Sequence, residues 1–441
     1  MAPPPHHIRL ATTSPAPSPE GVPGSLNIID DLARRAASQN IDILLLPEAF
    51  LGGYPRGSGF GAVVGSRTTE GREEFRRYFR GAVDLGDVVG PAGAGAGDAW
   101  VRKTLEVEQG TEYRGDGTRE ELERIAQSTG VFLVVGLVER AGGSLYCGVV
   151  YVDPTRGIIG KRRKVMPTGS ERLIWAQGSP ATLRAVSTTI RGIRINLAAA
   201  ICWESYMPLL RQALYAQNIN LYLAPTADAR DGWESLMRTV GTEGRCFVVS
   251  SNMAVRNAPT AASSAAIHDS GDEEQHHADA AQNASLGRRR NSCLTQEGNE
   301  IALPSGSPSP STSRAPGSKR RKSVIVEDEH EIVLGCEDDA VTNGPTNGAP
   351  KNGRAAINGT MSSQVQTAEG WLCRGGSMIA SPFGDVLAGP QWEDADGIIY
   401  ADVDFEDCVR GRLDLDAGGS YSRNDSFKFS VDGLDLEPLP Y

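Results

Sequence analysis

The feature that most limits how this chain can fold is a long stretch without aromatic side chains. Phe, Trp and Tyr make up 6% of the 441 residues, yet none of them occurs between Phe247 and Trp371. The stretch is rich in Ala, Ser, Gly, Asn, Asp and Pro, so it cannot bury enough apolar surface to offset the entropy lost on ordering. We therefore expect a low-complexity, disordered insertion at 255–368, in which Ser323 to Gly335 leaves open a local strand pair.

The sequence on both sides of the insertion alternates between helical and strand patterns. Leu26, Ile29, Leu32, Ala33 and Ala36 recur at helical spacing, which predicts an amphipathic helix over 25–40. The apolar run at 41–46 is typical of a strand buried on both faces, and similar runs follow at 131–139, 195–202, 220–225 and 245–252. This alternation predicts a layered α/β domain made of residues 8–254 and 369–441, preceded by a disordered tail at 1–7.

Two local features can be predicted more closely. Thr118 and Glu121 fit a capping box that opens a helix through Gln127. The segments around 153–157 fit the two arms of a β-hairpin, and Pro208 fits the first turn of a helix that follows Cys202.

Composition excludes several classes of function. The histidines lie only at the N-terminus, up to His7, and in the insertion, from His268 to His330, so a His-dependent triad or a multi-His metal site is not expected. A net charge of −11 argues against a general nucleic-acid surface, and the chain lacks an apolar run that could span a membrane.

The cysteines and the N-terminus bear on location. Seven widely spaced cysteines without a CxxC pair, and an N-terminus without the pattern of a signal peptide, favour a reduced, cytoplasmic protein. The basic run from Lys319 to Lys322 leaves nuclear entry open, although a solvated charge run is the more common explanation of such a segment.

Four residues stand where chemistry is expected. Cys202 ends a buried strand just before a helix, a position whose backbone N–H groups lower a thiol pKa, although a buried free cysteine is more often structural. Glu48 ends another buried strand, and Glu171 follows Lys164 by seven residues. The run from Lys161 to Arg163 fits a solvated basic turn, whereas alternation points Lys164 inward. Since the part expected to fold has almost no imidazole, a carboxylate and a lysine are the available partners for a thiol nucleophile.

The segments that carry these residues resemble the nitrilase branch of the carbon–nitrogen hydrolase superfamily. The matching segments are LLLPEAFLGGYPRG, GKRRKVMPTGSERLIWAQG, AAAICWESYMPLLRQALYAQ and APTADARDGWESLMRTVGTEGRCFVVSSN, together with GGSMIASPFGDVLAGP and SYSRNDSF near the end of the chain. The resemblance covers nearly all of the chain outside the insertion and the N-terminal tail. It implies a four-layer α-β-β-α sandwich and a homo-oligomer, a dimer or larger.

The resemblance also implies residue roles. Cys202 would be the nucleophile, Glu48 the general base and Lys164 the cation that stabilises the tetrahedral intermediate, with Glu171 orienting the site. An organic nitrile would become the carboxylic acid and ammonia through a thioimidate and a thioester, without a metal or an organic cofactor. Tyr54, Trp175 and Trp203 are candidates for lining the substrate pocket, although core packing explains a tryptophan equally well.

Three departures from the family pattern and several alternatives remain open. Ser205 stands where the family usually has Asn, Ser420 stands where His is common, and the insertion replaces a short connection between Asn252 and Trp371. The alternatives are a hydratase that releases the amide, including one acting on cyanide, an amidase, and a non-catalytic interaction protein whose insertion binds partners.

Overall fold

A computed structural model describes residues 7–228, 230–257 and 370–441, together with four short strands between 292 and 334. Residues 1–6 of the predicted disordered tail and most of the predicted insertion lie outside the described residues, as does the basic run from Lys319 to Lys322. The chain divides into one unit made of 1–263 and 366–441 and a second unit at 264–365.

The strands and helices are numbered in the order in which they follow one another along the chain. The strands are β1 Ile8–Thr13, β2 Ile43–Leu45, β3 Ala62–Val63, β4 Ser66–Arg67, β5 Phe132–Ala141, β6 Ser144–Asp153, β7 Gly157–Arg163, β8 Val186–Ile190, β9 Ile193–Ala199, β10 Leu221–Thr226, β11 Phe247–Asn252, β12 Ala254–Arg256, β13 Ser292–Leu294, β14 Glu300–Ala302, β15 Ser323–Glu327, β16 His330–Leu334, β17 Trp371–Ala380, β18 Val386–Trp392 and β19 Ile398–Val403. The helices are α1 Val22–Ser38, α2 Thr69–Gly81, α3 Asp98–Val101, α4 Thr118–Thr129, α5 Pro208–Ala216, α6 Gly232–Gly244 and α7 Glu406–Gly411.

The first unit contains two large sheets. One has the order β19-β1-β2-β5-β6-β7, with β1, β2 and β5 parallel and the outer strands antiparallel to their neighbours. The other has the order β12-β17-β11-β10-β9-β8, with β9, β10 and β11 parallel and β18 paired to β17. Parallel strands joined through helices are what the alternating sequence pattern predicts.

Side-chain alternation along the strands separates three apolar layers. In β2, Leu45 faces a core shared with residues of the second sheet such as Leu223, whereas Leu44 faces the core that includes α1 and α4. In β10, Leu223 belongs to the shared core, whereas Tyr222 packs with α5 and α6. Because successive residues of a strand point to opposite faces, the two sheets stack on each other and each carries helices outside. The expected four-layer α-β-β-α sandwich is confirmed.

Several predicted elements have different boundaries in the structure. The first helix begins at Val22 and ends at Ser38, and β9 ends at Ala199, because Cys202 already starts a 3₁₀ turn that runs to Tyr206. The predicted capping box is wrong. Thr118 is the first residue of α4 and makes no side-chain cap, and its N–H instead donates to the Asp116 carboxylate at 3.0 Å.

The described strands of the second unit form two antiparallel pairs. β13 pairs with β14, and β15 pairs with β16, which is the local strand pair that the sequence left open. In the first unit, β12 pairs antiparallel with β17 and ends at Arg256. None of the helices that the structure describes is long and apolar enough to cross a membrane.

The basic run in β7 is buried, so its interpretation as a solvated turn is wrong. The Arg163 guanidinium is fully buried and donates to both carboxylate oxygens of Glu139, at 2.7 and 2.9 Å. It also donates to backbone carbonyls of the loop after Asp87, among them Val89 at 3.0 Å. The Lys161 ammonium pairs with Asp87 at 2.7 Å and with Glu139. Each cation of β7 thus has a carboxylate on a neighbouring element, which is the condition for burying such a charge.

We predict that Arg163→Met lowers the free energy of unfolding by about 3–5 kcal/mol, because the buried Glu139 carboxylate loses its guanidinium partner and stays out of contact with water. Urea unfolding measures this loss. The control is Arg124→Met, since Arg124 makes its ion pair with Glu121 at the surface and its loss costs about 0.5 kcal/mol or less. Equal losses in the two variants would show that the buried network contributes no more than a surface pair.

Candidate active site

Three strand ends and one short turn bring the candidate residues together. Glu48 follows β2 and Lys164 follows β7 in the first sheet, whereas Cys202 follows β9 in the second sheet. Glu171 lies in a 3₁₀ turn, Gly169–Leu173, that continues the chain after Lys164. We call Glu48, Lys164, Glu171 and Cys202 the four-residue cluster.

Lys164 is the centre of this cluster. Its ammonium is fully buried and lies 2.7 Å from Glu48 Oε1 and 2.8 Å from Glu171 Oε2. Burial alone would lower the pKa of Lys164, but the negative charges led by Glu48 outweigh it and hold this pKa well above its usual range. One cation faces two carboxylates, so the ionised cluster carries one net negative charge.

The two carboxylate oxygens of Glu48 have different surroundings. Its Oε1 accepts from Lys164 and from the Cys147 thiol at 3.5 Å, whereas Oε2 is buried and has no hydrogen-bond partner among the described residues. Burial raises the pKa of Glu48 to about 7, against the attraction of Lys164 and with added repulsion from Glu171. A carboxylate with this pKa can both accept and return a proton near neutral pH.

Cys202 starts its 3₁₀ turn with a backbone φ of +55°, which a non-glycine residue rarely adopts. The side chain is nearly fully buried, and Thr226 Oγ1 donates to Sγ at 3.2 Å. The expectation that the turn lowers the thiol pKa is wrong. Burial raises the pKa of Cys202, and the Glu48 charge raises it further. The resting form is therefore the thiol, beside a carboxylate that can remove its proton.

Glu171 is held by contacts on both sides of its carboxylate. Oε2 accepts from the Thr168 N–H at 2.7 Å as well as from Lys164, and Oε1 accepts from the Tyr54 hydroxyl at 2.8 Å. These donors fix the orientation of the carboxylate toward Lys164.

The three candidate lining residues differ in their surroundings. The Tyr54 ring packs edge-on against Trp175 at 5.5 Å between centroids, and the Lys164 ammonium lies 5.7 Å from the Trp175 ring. Trp175 is almost fully buried, and it belongs to the core between the sheets. Trp203 is half-buried and donates its indole N–H to Asp228 at 2.8 Å. Tyr54 and Trp175 thus touch members of the cluster, whereas Trp203 adjoins Cys202 in the chain.

Sequence reasoning missed Glu204, which fastens the two sheets together next to the cluster. Its Oε1 accepts from Arg162 at 2.7 Å and from the Val165 N–H at 2.6 Å, and its Oε2 accepts from the Ile201 N–H at 2.8 Å. One buried carboxylate therefore holds the residue after Lys164 and the residue before Cys202. The sequence signal that could have identified Glu204 is its position, two residues after the candidate nucleophile Cys202.

Ser205 and Ser420, which depart from the family pattern, each make a hydrogen bond in the structure. Ser205 is buried, and its hydroxyl accepts from the Tyr222 hydroxyl at 3.1 Å, so the position stays hydrogen-bonded without an amide. Ser420 is exposed in a short turn and its N–H donates to Asp416. Across the described residues, no group of three or more His, Cys, Asp or Glu side chains could hold a metal ion.

The comparisons with known proteins agree with this geometry. Residues 10–278 and 346–412 match the family model described as carbon-nitrogen hydrolase. The chain is 32% identical to a nitrilase of Bradyrhizobium diazoefficiens, over 97% of this chain and 93% of the relative. It is also 32% identical to an arylacetonitrilase of Trametes versicolor, over 96% of both chains.

Two further proteins extend the comparison to plants and to solved structures. A bifunctional nitrilase/nitrile hydratase of Nicotiana tabacum is 31% identical over 95% of this chain and 84% of the relative. The crystal structure of Saccharomyces cerevisiae Nit3, a member of branch 10 of the nitrilase superfamily, is similar with a TM-score of 0.51 and 13% identity, over 96% of this chain and 97% of that chain. At this identity the likeness supports a shared fold.

We predict that Glu204→Gln loosens the two segments that the carboxylate holds, because an amide offers one acceptor oxygen where the carboxylate offers two. Hydrogen exchange of peptides covering 160–170 and 198–206 is expected to be at least about tenfold faster than in the unchanged protein. Glu73→Gln is the control, since Glu73 pairs with Arg76 at the surface. Unchanged exchange in both peptides would mean that Glu204 does not hold them.

Proposed function

This chain belongs to the carbon-nitrogen hydrolase family and is a nitrilase-type hydrolase, and we propose that it converts an organic nitrile to the carboxylic acid and ammonia through a covalent intermediate on Cys202. The observation that carries the proposal is the contact of the Lys164 ammonium with two buried carboxylates beside a buried thiol. A thiol, a carboxylate with a free oxygen and a cation are the three groups that hydrolysis of a carbon–nitrogen triple bond requires.

The first step forms a thioimidate. Glu48 accepts the Cys202 proton on Oε2, the atom that is buried without a partner among the described residues. The sulfur then bonds to the nitrile carbon, and Lys164 donates a proton to the nitrile nitrogen. The proton that Glu48 took up then restores the ammonium of Lys164, which lies 2.7 Å from the Glu48 carboxylate, so the net transfer is of one proton from the thiol to the nitrogen. The Trp203 backbone N–H and Lys164 stabilise the charge that develops.

Two water molecules complete the reaction. Glu48 removes a proton from the first water, which attacks the thioimidate carbon and gives a tetrahedral intermediate. The nitrogen takes up that proton by way of Lys164 and then, as the carbonyl forms, the hydroxyl proton of the intermediate. It leaves as ammonia, which produces a thioester. The second water, activated in the same way, displaces the Cys202 sulfur and releases the carboxylic acid. The sulfur recovers its proton, so the enzyme returns to its resting form.

The second candidate function is hydration to the amide. The name of the Nicotiana tabacum relative includes nitrile hydratase activity, and the same tetrahedral intermediate gives either product. Loss of ammonia leads to the acid, whereas loss of the sulfur releases the amide. The two outcomes differ only in whether the nitrogen or the sulfur leaves, so product analysis distinguishes them.

The family also supports proposals on assembly and location. We infer a homo-oligomer, a dimer or larger, in the cytoplasm. Five cysteines of the first unit, Cys147, Cys202, Cys246, Cys373 and Cys408, are free, as in a reducing compartment. Light scattering of the full chain tests the assembly.

Cys202→Ala is predicted to lower kcat at least about 10³-fold on any nitrile that the unchanged enzyme turns over, because the covalent route is lost. Ammonia and amide are measured together across a nitrile panel. Cys373→Ala is the control, since Cys373 is another buried cysteine and touches Asn252 outside the cluster. Persistent turnover by Cys202→Ala would contradict the proposed nucleophile.

The pH dependence of kcat/KM is predicted to follow Glu48. The carboxylate acts as a base only when ionised, and its pKa is raised to about 7. Activity on a nitrile without ionisable groups therefore rises as the pH rises through about 7, and it falls below that value as Glu48 takes up a proton. Glu48→Gln is expected to abolish this limb together with most of the activity. A limb near the ordinary carboxyl pKa would assign the base elsewhere.

A further inference from the structure

An arginine beside the cluster lacks a carboxylate partner. The side chain of Arg56 is half-buried, its Nε is buried without a hydrogen-bond partner, and it makes no ion pair with any residue in the described part of the chain. Arg230, which follows β10, differs, because its guanidinium pairs with Asp228 at 2.9 Å. A buried guanidinium N–H that stays unpaired costs free energy, unless a ligand supplies the acceptor.

Contacts on two sides place Arg56 next to residues that touch the cluster. Its guanidinium carbon lies 5.2 Å from the centre of the Tyr54 ring, and the Tyr54 hydroxyl binds Glu171. On the other side, its terminal N–H donates to the Ala227 carbonyl at 2.8 Å. Ala227 directly follows Thr226, whose hydroxyl contacts Cys202 Sγ. Arg56 therefore connects the loop after β2 with the loop after β10. On the first side it contacts Tyr54, which binds Glu171, and on the second it contacts the residue after Thr226, which binds Cys202.

The charges around Arg56 are already accounted for. Glu48 and Glu171 both face Lys164, and Asp228 faces Arg230 and the indole of Trp203. The positive charge of Arg56 is thus available for a ligand, and it offsets the net negative charge with which the cluster would repel an anion. Nη2 donates to Ala227, whereas Nη1 makes no hydrogen bond with the described residues, so one face of the planar guanidinium remains for a carboxylate.

We propose that Arg56 selects nitriles that carry a carboxylate at the end remote from the cyano group. The carboxylate accepts from Arg56 at the approach to the site while the cyano carbon reaches Cys202. This inference rests on the proposed nitrile hydrolysis and adds to it the class of substrate.

The test compares matched substrates in matched variants. ω-Cyanoalkanoates of increasing chain length are paired with alkyl nitriles that carry an isopropyl group in place of the carboxylate, and kcat/KM is measured for each. The unchanged enzyme is expected to favour the carboxylate of at least one pair. Arg56→Gln is expected to lose about 10- to 100-fold on that carboxylate and less than about threefold on its neutral partner. Arg230→Gln should keep the preference, because the charge of Arg230 is already neutralised.

Several results would overturn the inference. An equal loss on both members of a pair would mean that Arg56 only supports the loops. A preference for the neutral nitrile in the unchanged enzyme would also reject it. Arg56→Lys provides a second variant should Arg56→Gln fail to fold, and it is expected to retain part of the preference, because it keeps the charge without the planar fork.

A binding experiment separates this inference from the proposed reaction. Calorimetry with Cys202→Ala measures the affinity for the same ω-cyanoalkanoate without turnover. Arg56→Gln added to Cys202→Ala is expected to weaken this binding at least about tenfold. Binding that depends on Arg56 without ammonia release by the unchanged enzyme would support the carboxylate site and reject nitrile hydrolysis. Ammonia release from neutral nitriles, with no such binding, would do the reverse.

Discussion

The site depends on a buried ammonium placed between two carboxylates. Lys164 can stay charged in the core only because Glu48 and Glu171 both lie within hydrogen-bond distance of it. These carboxylates come from different segments, one at the end of β2 and one in the turn after β7. The ion cluster therefore joins separate parts of the first sheet, and the sheet must hold its register for the charges to be compensated. Removing Lys164 would leave two buried carboxylates without their cation, whereas removing either carboxylate leaves Lys164 paired with the other.

The second sheet is attached to this cluster by another buried ion pair. Arg162 of β7 and Glu204 of the turn after β9 meet at 2.7 Å, and both are buried. Glu204 also accepts from backbone N–H groups on both sides, so the position of Cys202 relative to Lys164 depends on one carboxylate. The last two cations of β7 and the lysine after it thus have different partners. Arg163 binds a loop, Arg162 binds a carboxylate of the other sheet, and Lys164 binds Glu48 and Glu171. This division explains how a run of charges can lie inside a sandwich.

The alternation of apolar runs and helices was sufficient to predict a layered α/β domain, because doubly buried strands produce runs such as the one before Glu48. The four layers and the roles of the four residues were predicted from the resemblance to the family. The burial of Lys161 to Arg163 could not be predicted, because a charged run is usually solvated and its partners, such as Glu139, are distant in sequence. The role of Glu204 was hidden for the same reason. The pKa of Cys202 was predicted with the wrong direction, because the turn is local whereas burial and the Glu48 charge arise only from the folded structure.

The net negative charge of the cluster also governs when the nucleophile forms. Two carboxylates and one ammonium oppose a second anion nearby, so the thiol keeps its proton until a substrate arrives. In the proposed reaction an electrophilic carbon changes this balance, because the sulfur loses its charge as it bonds, and the proton held by Glu48 passes through Lys164 to the nitrogen. The same protons then decide between acid and amide. A cluster that delivers a proton to the nitrogen of the tetrahedral intermediate favours loss of ammonia. Lys164, held by two carboxylates and adjacent to that nitrogen in the proposed pathway, supplies the proton there, and this placement favours the acid over the amide.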